Sequence, residues 1–178
     1  MSRSVRIVVL CEDKQQECFV RRFLMLRGHR RHQFRFELPR AGSGEQWVRE
    51  RFPTELRAYR GRQSRAETCL LAMTDADTHT VDERIRDCQG TCTAQGVAFR
   101  EPTDQVAFAV PARNIESWIA YLQGREVDET TVYPRLPHES DCQDAVESLH
   151  AMCQAGALRE PAPESLKHAC GEFERLGL

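Results

Sequence analysis

The feature that most constrains the fold of this chain is a regular alternation between short apolar runs and longer amphipathic stretches. The runs have the length of strands, and the stretches between them repeat apolar side chains every three or four residues, as a helix with one buried face does. The pattern predicts strands at 5–11, 33–38, 67–74 and 105–110, and helices at 14–27, 44–60, 80–95 and 114–123. Such alternation favours an α/β fold with three Rossmann-like layers, in which a mainly parallel sheet has helices on both faces.

The chain departs from this alternation after residue 124. Residues 128–137 have the composition of an irregular connection, and a helix is predicted near 140–155, with Ser140 and Asp141 supplying its N-cap chemistry. A last helix is predicted at about 165–176. Because 178 residues with 40% hydrophobic content suit one compact domain, we expect an α/β core at 1–124 and a helical C-terminal extension at 125–178 packed on it.

The lengths of the apolar runs and the placement of the cysteines indicate the cellular compartment of the protein. No run approaches the ~18 apolar residues that a membrane-spanning helix needs, and the N-terminus leads into a predicted strand rather than a signal sequence. We therefore expect a cytoplasmic protein without membrane contact. The eight cysteines lie singly in apolar runs or helices, where reduced thiols act as small hydrophobes, and the spacing of Cys88 and Cys92 is helical rather than that of a zinc site.

Basic residues are concentrated in the first part of the chain. Residues 1–67 hold 16 Lys and Arg against 8 Asp and Glu, a net charge of +8, while residues 68–178 hold 9 against 19, a net charge of −10. The densest basic segment contains Arg30 and Arg31 and continues toward Arg40. Such a cluster can neutralise the phosphates of a nucleic acid, and a solvated arginine-rich surface is the alternative. Arg30, Arg31 and Arg40 are therefore candidate substrate-binding residues.

Acidic side chains follow two of the predicted strands. Glu12 ends the first strand, and Asp75 and Asp77 follow the third. If these strands are parallel neighbours, the three carboxylates meet at one edge of the sheet, where they repel unless a cation neutralises them. Mg²⁺ and Mn²⁺ prefer such oxygen ligands. The sequence thus predicts a divalent-metal site, and Asn114 and Glu116, after the fourth strand, are expected at the same edge.

These residues resemble the Toprim (topoisomerase–primase) fold, especially small stand-alone versions and those fused in OLD-type (overcoming-lysogenization-defect) nucleases. The likeness covers about residues 5–123 and consists of a Glu ending the first strand, an Asp-x-Asp ending a later one, and an Ile-Glu pair preceded by a polar residue after the fourth, here Asn114-Ile115-Glu116. Two positions depart from the family pattern. Asp13 stands where the family usually has Gly, and Gln16 where it often has a second acid.

The resemblance implies a metal-dependent nuclease. Its expected catalytic residues and ligands of Mg²⁺ or Mn²⁺ are the four acids Glu12, Asp75, Asp77 and Glu116. Lys14 is expected to assist catalysis, and Arg113 and Asn114 to contact substrate. Small stand-alone members resemble effectors of two-part bacterial anti-phage systems. The resemblance therefore implies DNA or RNA as a partner and an ABC-type ATPase as a possible partner subunit. Association into a homo-oligomer is a further possibility.

Three other interpretations stay open. Asp75 and Asp77 could cap the helix that begins near Val81. The core could be a non-catalytic Toprim-like subunit that binds an ATPase. A phosphoacceptor receiver domain also has acids after its first and third strands, although it calls for a lysine after its fifth strand, and no lysine lies between Lys14 and Lys167.

Overall fold

A computed structural model of the chain describes residues 6–177 and confirms the predicted α/β fold class. The four strands are β1 Arg6–Leu10, β2 Phe34–Glu37, β3 Thr68–Met73 and β4 Val106–Ala109. The α-helices are α1 Lys14–Leu26, α2 Gly44–Arg62, α3 Val81–Ala94, α4 Ile115–Leu122, α5 Gln143–Ala155 and α6 Glu164–Arg175. Val5, the predicted first residue of the first strand, lies outside the described residues. Within residues 6–177, no helix combines the length and the apolar character needed to cross a membrane.

The strands form one all-parallel sheet in the order β2-β1-β3-β4. The first and third strands are parallel neighbours, the condition under which the acids after them would meet, with Val8 opposite Leu70 and Leu10 opposite Ala72. The chain leaves β1 toward β2 on one side and then crosses back to β3 on the other. The boundary between β1 and β3 is therefore the topological switch point, where α/β sheets open a crevice at the carboxyl ends of their strands.

Helices cover both faces of the sheet, as the sequence predicted. Ile7 and Val9 pack on one face with α1, α4, α5 and α6, while Val8 and Leu10 pack on the other with α2 and α3. Successive side chains of a strand point to opposite faces, so a strand covered on both sides must be apolar throughout. This explains why β1, β3 and β4 appear as nearly unbroken apolar runs, whereas β2 at the sheet edge alternates Phe34 and Phe36 with Arg35 and Glu37 and is only partly buried.

The C-terminal helices belong to the same hydrophobic core as one face of the sheet, to which they contribute Leu149, Leu166 and Phe173. The predicted N-cap at Ser140 and Asp141 is wrong, because a 3₁₀ turn occupies Glu139–Cys142 and the Asp141 carboxylate accepts from the backbone N–H of His138 at 3.2 Å. That turn leads directly into α5, whose first residue follows Cys142 without a side-chain cap.

Helix α6 also closes the β4 edge of the sheet. The carboxylate of Glu172 accepts from the outward backbone N–H of Phe108 at 2.7 Å and forms an ion pair with Arg100. Arg100 donates in turn to the backbone oxygen of Val106 at 2.8 Å. Side chains thus satisfy the backbone groups that a further strand would otherwise bind.

Candidate metal centre

Glu12 lies at the switch point and connects the ends of β1 and β3. Its Oε1 accepts from the backbone N–H of Asp75 at 2.7 Å and from the hydroxyl of Thr74, while its own backbone N–H donates to Gln16 Oε1 at 2.9 Å. Burial raises the pKa of Glu12 to about 7, with Asp77 and Asp13 adding to the rise and the two accepted hydrogen bonds opposing it. Glu12 is therefore a carboxyl group that changes charge near neutral pH.

Helix α2 approaches Glu12 so closely that only glycine fits at the first residue of the helix. A Cβ built on Gly44 would lie 2.6 Å from Glu12 Cβ and 3.0 Å from the Glu12 backbone oxygen. Ser43 caps this helix by accepting from the backbone N–H of Gln46 at 3.3 Å. The capped start of α2 thus forms one boundary of the position that Glu12 occupies.

Asp75 is held on the other side of the switch point by Gln16. Gln16 Nε2 donates to Asp75 Oδ1 at 3.0 Å, so one buried amide side chain contacts both the Glu12 backbone and the Asp75 carboxylate. Burial raises the pKa of Asp75 well above its ordinary value, and the charges of Glu12, Asp13 and Glu116 raise it further. Sequence reasoning noted Gln16 only as a departure from an acid, and it missed this bridging role.

Asp77 and Arg113 occupy matching strained positions in the loops after β3 and β4. Their φ angles are 54° and 66°, in the left-handed region that side chains rarely adopt. The Asp77 N–H donates to the Arg113 backbone oxygen at 3.3 Å, and Arg113 Nη1 donates to the Asp77 backbone oxygen at 3.1 Å. The two loops are therefore locked together, and backbone strain of this kind is concentrated at functional sites.

A buried arginine that was not predicted from the sequence binds the loop after β3 through hydrogen bonds and ion pairs. Arg84 of α3 is 8% exposed, donates to the Asp75 backbone oxygen at 3.2 Å, and pairs with Asp77 Oδ2 at 3.1 Å and Glu45 Oε1 at 3.2 Å. Helix α3 is capped by Thr80 with Glu83, so the interpretation of Asp75 and Asp77 as its caps is wrong.

Helix α4 brings Glu116 to the same edge. Glu116 lies in the first turn and is only 6% exposed; burial raises its pKa, Asp13 adds to the rise, and Arg135 opposes it. Asn114 precedes the helix and holds the loop after it, because its amide donates to the Tyr133 backbone oxygen at 2.7 Å and accepts from the Tyr133 N–H at 3.3 Å. Asn114 thus positions the connecting segment of residues 128–137.

These side chains line one cavity of about 500 Å³, which we call the acid cavity. Its charged lining residues are five carboxyl groups and two guanidinium groups, namely Glu12, Asp13, Asp75, Asp77, Glu116, Arg113 and Arg135. The carboxyl groups outnumber the cations, and the raised pKa values reflect that imbalance together with burial. Lys14 lies in an adjoining cleft of about 80 Å³, which Glu116 and Arg135 also line.

The predicted substrate-binding arginines of the basic segment, Arg30, Arg31 and Arg40, do not line the acid cavity. Arg30 and Arg31 are exposed and precede β2, so they lie toward the amino ends of the strands, opposite the acids. Arg40 is exposed and follows β2, on the side of the carboxyl ends, without lining the cavity. The structure therefore brings together the four predicted acids with Arg113 and Asn114, places Lys14 beside them, and separates Arg30 and Arg31 from them.

The acid cavity suits a hard divalent cation, because its five acidic residues offer carboxylate oxygens. Glu12, Asp75 and Asp77 each use one oxygen in the hydrogen bonds described above, and the second oxygen of each takes no part in them. Among residues 6–177, no three His, Cys, Asp or Glu side chains already stand in a ligating arrangement. No protein-family model, curated protein or solved structure matches this chain.

Proposed function

We propose that the protein is a Toprim-like, metal-dependent nuclease that hydrolyses phosphodiester bonds of DNA or RNA in the cytoplasm. One observation carries the proposal. Acids that follow β1, follow β3 and begin α4 converge on one cavity at the switch point of a parallel sheet, where they outnumber the cations. Among them, Glu12, Asp75 and Glu116 have raised pKa values. Keeping several carboxyl groups this close is unfavourable unless a cation or protons neutralise them, so a divalent cation accounts for the arrangement.

The residues divide into three roles under this proposal. Glu12, Asp75, Asp77 and Glu116 hold Mg²⁺ or Mn²⁺, which activates water and stabilises the charge that develops on the phosphodiester. Arg113 and Arg135 line the same cavity and offer guanidinium groups to a substrate phosphate. Two residues position the acids through hydrogen bonds: Gln16 donates to Asp75, and Arg84 donates to Asp77.

Calorimetric titration with Mn²⁺ tests the proposal, with plasmid and total-RNA nicking run in the same buffer. The informative variant is Asp75→Asn with Asp77→Asn, which removes two charges at constant shape. An asparagine at position 75 retains an oxygen that can accept from Gln16, and asparagine tolerates the left-handed backbone at position 77. Glu147→Gln, on the exposed side of α5, removes one charge away from the cavity and serves as the control.

A catalytic metal site would be supported if the double variant loses both Mn²⁺ binding and nicking while the Glu147→Gln control keeps both. Binding without nicking by the wild-type chain would indicate a missing activator, such as the ATPase partner that the Toprim resemblance implies, and a nicking assay with that partner added would follow. If the folded wild-type protein binds no Mn²⁺, the nuclease proposal fails and the interpretation as a non-catalytic subunit takes its place.

A further inference from the structure

A second reactive feature lies away from the acid cavity, between the two C-terminal helices. Cys153 in the last turns of α5 and Cys170 in α6 line one cavity of about 140 Å³, together with Arg27 at the end of α1. Both cysteines are half-buried, so small reagents can reach them. Apolar side chains, among them Phe23 and Phe173, form other parts of the cavity wall. This dithiol cavity is large enough for several water-sized molecules.

The two thiols face the same cavity and differ in character. A hydrogen bond from Cys170 lowers the pKa of Cys153 to about 7, and the charge of Arg27 lowers it further, against opposing effects of burial and Glu174. The same contact raises the pKa of Cys170. Cys153 is therefore the nucleophilic thiolate near neutral pH, and Cys170 is the neutral thiol beside it.

A second pair of neighbouring thiols, Cys18 and Cys142, differs from this one because burial and the Cys18 thiol raise the pKa of Cys142. Burial raises the pKa of Cys69 and Cys92 to about 11 and that of Cys88 and Cys142 to about 12, and it raises the pKa of Cys11 as well. Their thiols stay protonated near neutral pH and react slowly. The difference predicts selective chemistry at Cys153.

We propose that Cys153 and Cys170 form an oxidisable dithiol that reduces hydroperoxides and closes to a disulfide between α5 and α6. The Cys153 thiolate attacks one peroxide oxygen, the O–O bond breaks, and a sulfenic acid forms while the released hydroxide takes a proton from solvent. The Cys170 sulfur then attacks the Cys153 sulfur, the S–O bond breaks, and hydroxide leaves with the Cys170 proton as water. Two thiols lose two electrons in total, and hydrogen peroxide becomes two molecules of water.

Mass spectrometry of the full chain after treatment with equimolar hydrogen peroxide tests this proposal. We expect a loss of about 2 Da, the mass of two hydrogens, reversed by dithiothreitol, and a cross-linked peptide that joins Cys153 to Cys170. Cys153→Ser and Cys170→Ser should each abolish the cross-link. Cys142→Ser changes another cysteine at the start of α5 and should leave the cross-link intact.

Alkylation by iodoacetamide gives a readout that does not require oxidation. The alkylation rate of Cys153 should reach half its maximum near pH 7 in the wild-type chain, because Arg27 and Cys170 stabilise its thiolate against Glu174, and at higher pH in Cys170→Ser. The proposal is overturned if the folded wild-type protein shows no Cys153–Cys170 cross-link, if the loss of mass persists in Cys153→Ser, or if Cys153 is alkylated no faster than Cys142.

Discussion

Protonation of Glu12 affects the stability of the folded chain. Its pKa is raised from 4.5 to about 7 on folding, so between these pH values the folded protein holds a proton that the unfolded chain has lost. Its contribution to the free energy of unfolding therefore falls as pH rises from about 4.5 to about 7 and is constant above that range, a change of roughly 1–3 kcal/mol.

Glu12→Gln should flatten this slope, because glutamine does not titrate. Urea unfolding in EDTA, at several pH values between about 5 and 8, measures it. Glu147→Gln provides the matched control and should keep the wild-type slope. An equal slope in Glu12→Gln and the wild type would contradict the assignment to Glu12.

Arg84 is the buried cation that holds the acid loops in place. Arg84→Met keeps much of the side-chain length but leaves Glu45 and Asp77 without this partner, and we expect it to lower the free energy of unfolding by about 2–4 kcal/mol. Arg86→Met, on the exposed side of the same helix, should change it by less than about 0.5 kcal/mol. Chemical denaturation measures both values, and similar losses in the two variants would argue against the buried network.

At the scale of elements, the close approach of α2 to β1 makes Gly44 a packing requirement. Gly44→Ala would push the start of α2 away from Glu12, with an expected loss of about 1–3 kcal/mol in the free energy of unfolding. Gly90→Ala, at an open position inside α3, should instead stabilise the protein by about 0.5–1 kcal/mol. Thermal or urea unfolding of the pair tests this difference in sign.

The segment of residues 128–137 depends on Asn114 for its attachment to the acid cavity. Asn114→Ala removes both hydrogen bonds to Tyr133, so the backbone amides near Tyr133 should exchange their hydrogens faster by about tenfold or more. Hydrogen-exchange mass spectrometry measures this rate. Gln123→Ala, at the other end of α4, should leave it unchanged, and equal exchange in the two variants would contradict the role of Asn114.

The sequence was sufficient to predict the main elements and a mainly parallel sheet, because periodicity is local and the parallel arrangement follows from alternation. It left the adjacency of β1 and β3 as a condition, because strand order depends on the path of the crossovers. It could place Glu12 and Asp75 at the carboxyl ends of their strands, and their convergence followed once those strands were neighbours. It could not assign Arg84 or Gln16, whose partners come from elements distant along the chain. Nor could it predict that Asn114 would hold Tyr133, since that contact depends on the path of an irregular segment.

At the scale of the whole molecule, the acid cavity should couple metal binding to stability and pH. Under the proposed function, Mn²⁺ binds ionised carboxylates, so it competes with protons on Glu12, Asp75 and Glu116. The rise in melting temperature on adding Mn²⁺ should therefore grow as pH increases through about 7. Calorimetric scans with and without Mn²⁺ measure it, and a rise that shrinks with increasing pH would contradict this coupling.

The closure of the β4 edge by Glu172 also limits how copies of this chain can associate. Among the described residues, no strand lies beyond β2 at the opposite flank of the sheet. Edge-to-edge pairing of two copies through β2 would leave a β4 edge at each outer end of the joined sheet, and side chains already bind the backbone groups of that edge. Such an assembly stops at a symmetric pair and cannot propagate into a fibre, because a fibre needs two open edges on every copy.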